Sequence, residues 1–391
     1  MKRFAWPLAF ATALAATTAL TRPAAADLIA VANDNHSVNT NGVMGPAKSP
    51  PPDNVAIIDV GVYPPKLVAN IDAPTSVVGS PNSIWISPDE SLVIVTSASK
   101  IDPKDPTKII DNDEVSVIDL KASPPKVIDT FHAGKGANEV SVDSDGNYGL
   151  IANRGAGTLS PFTVRGKNVS KAAGGVDKIG DEKSMPSSVM FLPDAEHALV
   201  TLYGDNKVAW LDTEGAKTTD TKHAVVTGVS PYTLDINKAG TFAVVGNMGG
   251  GGTGDIGTVS IIDLKRNPPN TVYTTSVPSS PEGIKFSPDG KYLAVASVEG
   301  STRPSDSPLF HDHGRLWMFS VDSDGTLKPL AEAPIGRWSQ GIAFSKDGKT
   351  VLVESMIDHG LNVFRWDGKT LTAGKTLDVK GAPAAIRTSW P

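Results

Sequence analysis

One hairpin unit recurs six times along this 391-residue chain with a fixed internal spacing, and that spacing constrains the fold more than any other feature. In each copy an aliphatic residue stands three positions after a Pro, Ala or Ser. Thirteen residues later an apolar run ends, most often as Val-x-Asn or Val-x-Ser, giving the pairs Ile84/Ser97, Val140/Asn153, Val189/Leu202, Leu234/Asn247, Ile284/Ser297 and Ile342/Ser355. Between the two lies a turn-forming quartet, from Ser87-Pro-Asp-Glu90 to Ser345-Lys-Asp-Gly348. These residues favour turns over helix. A period of 44 to 58 residues holds one supersecondary unit, and four short strands per unit are the blade of a β-propeller.

The two ends complete the count. Leu28 to Asn33 reads as a second strand without its first, and Pro383 to Ser389 as a first strand without its second. Together they make a seventh unit. A propeller left open would expose sheet edges, so one blade shared between the termini closes the ring. The expected fold is all-β: a seven-bladed propeller of four-stranded antiparallel blades spanning residues 27–391.

Residues 1–26 read as a secretory signal, with Lys2 and Arg3, an apolar stretch from Phe4 to Leu20, and small residues at Ala24 to Ala26. No other segment approaches the ~20 apolar residues that a membrane span needs. Removing Lys2, Arg3 and Arg22 leaves 33 basic against 42 acidic side chains, a net charge of −9. That balance argues against nucleic acid or an anionic membrane as partner. Cysteine is absent, which excludes thiol catalysis, Fe–S clusters and covalent c-type haem, and leaves stability to blade packing and ring closure. The expectation is a periplasmic or secreted monomer.

Turns joining the first and second strands all have one length, so that face of the disc is uniform and reads as scaffold. The links from second to third strand lie on the opposite face and differ. Three span six residues, whereas those at 34–54, 98–114, 248–258 and 298–315 are long. Long loops in a compact repeat fold are either functional or disordered, and function is the favoured reading here. Residues 34–54 contain His36 and three consecutive prolines and read as extended. Residues 101–114 carry five carboxylates without EF-hand spacing, better read as a solvated acidic loop than as a Ca²⁺ site. The glycine run 249–252 lacks the Lys and Ser/Thr of a phosphate loop. His311 and His313 have the spacing with which two imidazoles of an extended segment could hold a divalent metal ion, a third ligand coming from elsewhere; a polar substrate-facing role and a plain solvent-facing loop are the alternatives.

First strands line the channel of a propeller, and their starts lie on the insertion-rich face. Asn82, Asn138, Glu139, Tyr232, Glu282 and Gln340 stand there, with Arg154 and Tyr203 just past second strands and Arg337 just ahead of the seventh blade. Such a rim is polar enough to bind an oxygen-rich small molecule. The plainer alternative is an ion pair between Glu139 and Arg154 on adjacent strands of a wet channel.

Pro281-Glu-Gly-Ile284-Lys-Phe-Ser-Pro-Asp-Gly and Ser339-Gln-Gly-Ile342-Ala-Phe-Ser-Lys-Asp-Gly resemble the repeat of YVTN-type seven-bladed propellers. Leu316-Trp-Met-Phe-Ser-Val-Asp-Ser-Asp-Gly and Asn153-Arg154-Gly155 are similar to the lactonase branch, which includes 6-phosphogluconolactonase. The resemblance implies lactone hydrolysis or cycloisomerisation by His, Glu and Arg at the channel mouth, for which Arg154, Glu282, His311 and His313 are the candidates. Two functions follow from different classes: an exported lactonase-like hydrolase, or a non-catalytic propeller that grips a small ligand or a protein of the cell envelope. Fold likeness alone does not choose between them.

Overall fold

The computed structural model describes Met1 and residues 27–173, 178–250 and 256–390. Apart from Met1, the expected signal segment lies outside the described residues, as does the centre of the 248–258 insertion.

The six repeats fold as hairpins in one register. The aliphatic reference residue pairs with the residue eleven positions on in every copy: Ile84 with Val95, Val140 with Ile151, Val189 with Val200, Leu234 with Val245, Ile284 with Val295 and Ile342 with Val353. The turn quartets explain this constancy. Ser287 Oγ accepts a hydrogen bond from Tyr292 N at 3.0 Å and donates to Asp289 Oδ1 at 2.7 Å. Ser345 does the same with Thr350 N and Asp347. The last residue of every quartet (Glu90, Gly146, Ala195, Gly240, Gly290, Gly348) takes a left-handed φ between 56° and 71°. Glycine supplies that conformation without a Cβ clash.

Each hairpin is extended to an antiparallel blade. Blade 2 is Ile84–Ile86, Leu92–Asp102, Asp105–Asp119 and Lys126–His132; blade 3 is Ala137–Val142, Tyr148–Asn153, Thr158–Arg165 and Asn168–Lys171. Blade 4 is Pro186–Phe191, His197–Leu202, Lys207–Glu214 and Lys217–Val226. Blade 5 is Pro231–Ile236, Phe242–Asn247, Ile256–Asp263 and Asn270–Pro278, and blade 6 is Pro281–Phe286, Tyr292–Ser297, Gly314–Val321 and Leu327–Ile335. In blade 7, Ile342–Phe344, Thr350–Ser355 and Gly360–Trp366 are followed by two short pieces, Leu371–Ala373 and Leu377–Asp378, both paired with the third strand. Blade 1 is composite: Pro383–Thr388 pairs with Leu28–Asn33, which pairs with Asn54–Asp59 and then Lys66–Asp72.

The first strands contact one another in order around a closed ring, with Pro383–Thr388 between those of blades 7 and 2. Seven apolar cores fill the seven blade-to-blade interfaces. Strand alternation serves two of them at once. On Leu28–Asn33, Ile29 and Val31 pack toward blade 7 against Leu352 and Leu361, while Ala30 and Ala32 pack toward blade 2 against Ile84 and Val93.

Two insertions depart from the sequence reading. Residues 34–54 contain a hairpin, Ser37–Thr40 with Val43–Pro46, instead of being extended throughout. The acidic segment of blade 2 is a prolongation of its second and third strands, not a loop. Its Asp105, Asp111 and Asp113 pair with Lys108, Lys135 and His132.

Candidate functional site

The repeat places equivalent side chains at equivalent heights in the channel. The two positions before the aliphatic reference residue lie toward the insertion-rich mouth, and the positions after it lie toward the uniform mouth.

At the insertion-rich mouth the chain gathers Arg154, Tyr203, Tyr232, Glu139 and Glu282. Arg154 Nη1 donates to Ser187 Oγ, and its guanidinium carbon lies 4.5 Å from the Tyr203 ring centre and 5.6 Å from that of Tyr232. The two tyrosine rings meet edge to face at 6.2 Å. Among the described residues Arg154 forms no ion pair, so the expected plain pairing with Glu139 is not how these groups are held. Glu139 is fully buried and accepts a hydrogen bond from Ser80, while its Oε2 has no partner of normal geometry. Burial pushes its pKa up to about 7 against the opposing pull of the Ser188 and Ser80 hydroxyls and the Arg387 charge. Burial likewise pushes Glu282 up to about 8, with nearby Trp338 opposing. The Tyr232 hydroxyl is raised by burial first, then by the field of Glu282, with Arg154 pulling the other way.

Glu354, on the second strand of blade 7, joins this acidic layer. Its Oε2 accepts from Gly341 N at 2.7 Å, and burial with the nearby Glu282 raises its pKa well above the usual carboxylate range. Gly341 leaves the room: a Cβ there would stand 2.7 Å from Glu354 Oε2 and 2.4 Å from Ile386 Cγ2. Above the layer, Met44 of the inserted hairpin packs with Val298, Trp338, Met356, Ala382 and Ala384. Asn39 Nδ2 donates to Thr302 O at 3.1 Å and Ser305 N to Asn41 Oδ1 at 2.8 Å, so the insertions of blades 1 and 6 touch across blade 7.

The other sequence candidates lie elsewhere or are held by the fold. Asn138 Nδ2 donates to Ser187 O at 2.6 Å and bridges blades 3 and 4, and Asn82 Oδ1 accepts from Arg387 at 3.2 Å. Arg337 is turned onto Asp358 at 2.8 Å. Gln340 is buried beside Met356 with its Oε1 unpaired. His311 lines a cleft between blades 5 and 6 with Tyr273, Thr275 and Trp317, apart from Arg154 and Glu282. His313 is engaged by Asp312 at 2.6 Å, and the two imidazole centres stand 6.5 Å apart. Among the described residues, the ligand-type atoms that do converge, within 4.8 Å, belong to Asp34, His36 and Asp53. Hydrogen bonds occupy them: Asp34 accepts from His36 N, Ser37 and Val78 N, and Asp53 accepts from Asn35 N and contacts the His36 ring at 2.6 Å.

Sequence reasoning missed the opposite mouth. There Asp235, Lys285 and Arg387, each directly following a reference aliphatic residue, line a cavity of about 290 Å³ with Trp85, Phe191 and Trp390. Charges recurring at the repeat position directly after the reference aliphatic residue were the available signal.

No family model matches the chain. Antigen Lp49 of Leptospira interrogans is 31% identical over 112 residues, 28% of this chain, and the match spans 23% of that relative's length. Among solved structures, a candidate 6-phosphogluconolactonase from Bacteroides fragilis aligns at TM-score 0.70 and 18% identity, covering 93% of this chain and 98% of that one. The periplasmic gluconolactonase of Pseudomonas aeruginosa aligns at 0.64 and 18%, with the same coverage of each. A hydrazine synthase chain from Kuenenia stuttgartiensis aligns at 0.60 and 17% over 80% of this chain and 90% of its own. The resemblance read from the repeat residues holds at the level of the fold, which this chain shares with these propeller structures.

Proposed function

We propose that this protein is an exported propeller that binds a small oxygen-rich molecule at the insertion-rich mouth of its channel and hydrolyses it as a lactonase does. The observation that carries the reading is a guanidinium without an ion-pair partner among the described residues, Arg154, held over Tyr203 beside carboxyls tuned toward neutrality. In lactone hydrolysis water adds to the carbonyl carbon, the ring C–O bond breaks, and the departing oxygen takes a proton to give a hydroxy acid. Arg154 would face the carbonyl oxygen as negative charge develops there. Glu282, once ionised, would take the proton from water. The names of the B. fragilis and P. aeruginosa proteins support the substrate class, and the periplasmic site of the latter supports export.

The test is a panel of aldono- and muconolactones followed with a pH indicator. Turnover is expected to rise with pH through about 8, where Glu282 ionises. Arg154→Ala and Glu282→Gln should each lower kcat/KM by about 100-fold or more in a chain that remains folded at the assay temperature. A panel that yields no turnover sinks the catalytic reading.

One observation favours a second reading, a protein partner of the cell envelope. Val38 and Val43 on the inserted hairpin, and Ile109 and Ile110 on the prolonged hairpin of blade 2, are exposed. These hairpins pack together on the insertion-rich face. A crosslinker placed at Val43 that captures one defined envelope protein from intact cells would support that reading; capture equal to that from a site on blade 4 would count against it.

A further inference from the structure

The cavity at the uniform mouth has the makings of a second binding site. It is formed by inner strands of six blades, which contribute Arg387, Trp85, Ser141, Met190, Asp235 and Lys285 at the same repeat position. Its volume, about 290 Å³, is at the lower end of the range for small-molecule sites. Lys285 Nζ and Asp235 Oδ1 form a pair at 2.8 Å with both side chains nearly enclosed, and Asp235 Oδ2 also accepts from Phe286 N. Burying such a pair costs several kcal/mol of desolvation per ion unless geometry and extra hydrogen bonds offset it, so hydrophobic residues would serve stability as well. Asp235 is thereby saturated.

Arg387 feels the fields of Asp235 and Glu139 but is not ion-paired in this way. Its contact within hydrogen-bond reach is the neutral Asn82 Oδ1 at 3.2 Å, and no carboxylate stands within ion-pair distance among the described residues. Of the charged groups lining the cavity, Lys238, Lys285 and Arg387 outnumber Asp143 and Asp235 by one. The rest of the wall combines apolar and aromatic side chains with the polar Ser141, Ser144, Asn237, Thr388 and Ser389; Trp85 and Trp390 are both partly exposed, and the Lys285 ammonium lies 5.7 Å from the Trp390 ring centre.

We infer that this cavity binds a small aromatic monocarboxylate, its carboxylate on Arg387 and its ring between the indoles. The residual charge selects a single negative charge. A planar guanidinium matches a carboxylate bidentately, and the indoles supply the apolar faces. Such a ligand would also tie the closing strand Pro383–Thr388, which carries Arg387, to Trp85 on the inner strand of blade 2. It should therefore raise the melting temperature in proportion to the logarithm of its concentration above Kd.

The probes are benzoate and indole-3-acetate, against benzamide, indole-3-acetamide and acetate, by calorimetric titration and thermal shift on the whole chain. The aromatic carboxylates should bind more tightly than about 1 mM, exceed the amides and acetate by about tenfold or more, and raise the melting temperature. Arg387→Gln should remove the preference for carboxylate over amide, and Arg387→Lys should keep part of it. Glu282→Gln should leave binding intact, which separates this site from the proposed lactone site. Equal binding of acid and amide, or no aromatic carboxylate bound below about 1 mM, overturns the inference. The acid–amide comparison on the unaltered chain decides it even where Arg387→Gln fails to fold.

Discussion

At the scale of single residues, the repeated turn carries most of the local information. Four of its six final positions are glycine, and the remaining two, Glu90 and Ala195, adopt the same left-handed conformation with a Cβ present. Glu90 has a compensating role, since its Oε1 accepts from Leu28 N at 2.9 Å and from Ser389 Oγ at 3.1 Å. Ala195 has no side-chain contact of that kind to offset the strain. Ala195→Gly is therefore expected to stabilise the protein by about 0.5–1 kcal/mol, read as an increased denaturant midpoint at unchanged slope. The Asn that ends several second strands has an equally local explanation. Asn153 Nδ2 donates to Thr158 Oγ1 and Ser160 Oγ while its Oδ1 accepts from Gly134 N, which fixes the strand end to the link that precedes the blade.

At the scale of elements, blade 1 is the point on which the ring depends. Leu28–Asn33 is hydrogen-bonded on both edges, to Pro383–Thr388 and to Asn54–Asp59. Removing residues 383–391 strips one edge, empties Ile386 from the core shared with blade 7, and takes Ala385 from the core shared with blade 2. A large fall in melting temperature is expected; an unchanged melting curve would remove the closure argument. Glu90→Ala tests the same closure more gently by deleting the acceptor shared by Leu28 and Ser389, at a cost of about 1–3 kcal/mol. The blades themselves were legible because strand alternation and turn residues act over a few positions. The insertions were less so. Residues 98–114 looked like a loop, yet they continue two strands, because a hairpin whose carboxylates pair with nearby Lys and His side chains can project into solvent without a core.

At the scale of the whole molecule, the ring brings Glu139, Glu282 and Glu354 from blades 3, 6 and 7 into one buried acidic layer. Each holds its proton in the folded chain at pH values where the unfolded chain, with carboxyls near 4.5, has lost it. The folded state then binds more protons, so stability falls as pH rises from about 4.5 to about 8. For Glu139, fully buried and raised to about 7, the loss is roughly 3 kcal/mol across its window. Melting temperatures measured between those limits should decline. Glu139→Gln and Glu354→Gln should each flatten the decline, and a flat profile for the unaltered chain would show that the layer is ionised without penalty.

The sequence by itself determined the blade, the number of blades, the composite closure and the difference between the two faces of the disc. All of these follow from turn chemistry and two-residue alternation, interactions that a residue makes with close neighbours along the chain. It also supplied several members of the insertion-rich mouth, Arg154, Glu139, Tyr203, Tyr232 and Glu282, because their heights follow from their places in the repeat. Only the tertiary structure decided which of them meet. His311 and His313 went to an outer cleft, Arg337 to Asp358, and Glu354 entered the acidic layer through the space left by Gly341. The same ring made the uniform face more than scaffold, since inner strands cross the whole disc and present side chains at both ends. Arg387, Asp235 and Lys285 are far apart in the chain, and ring closure is what places them around one cavity.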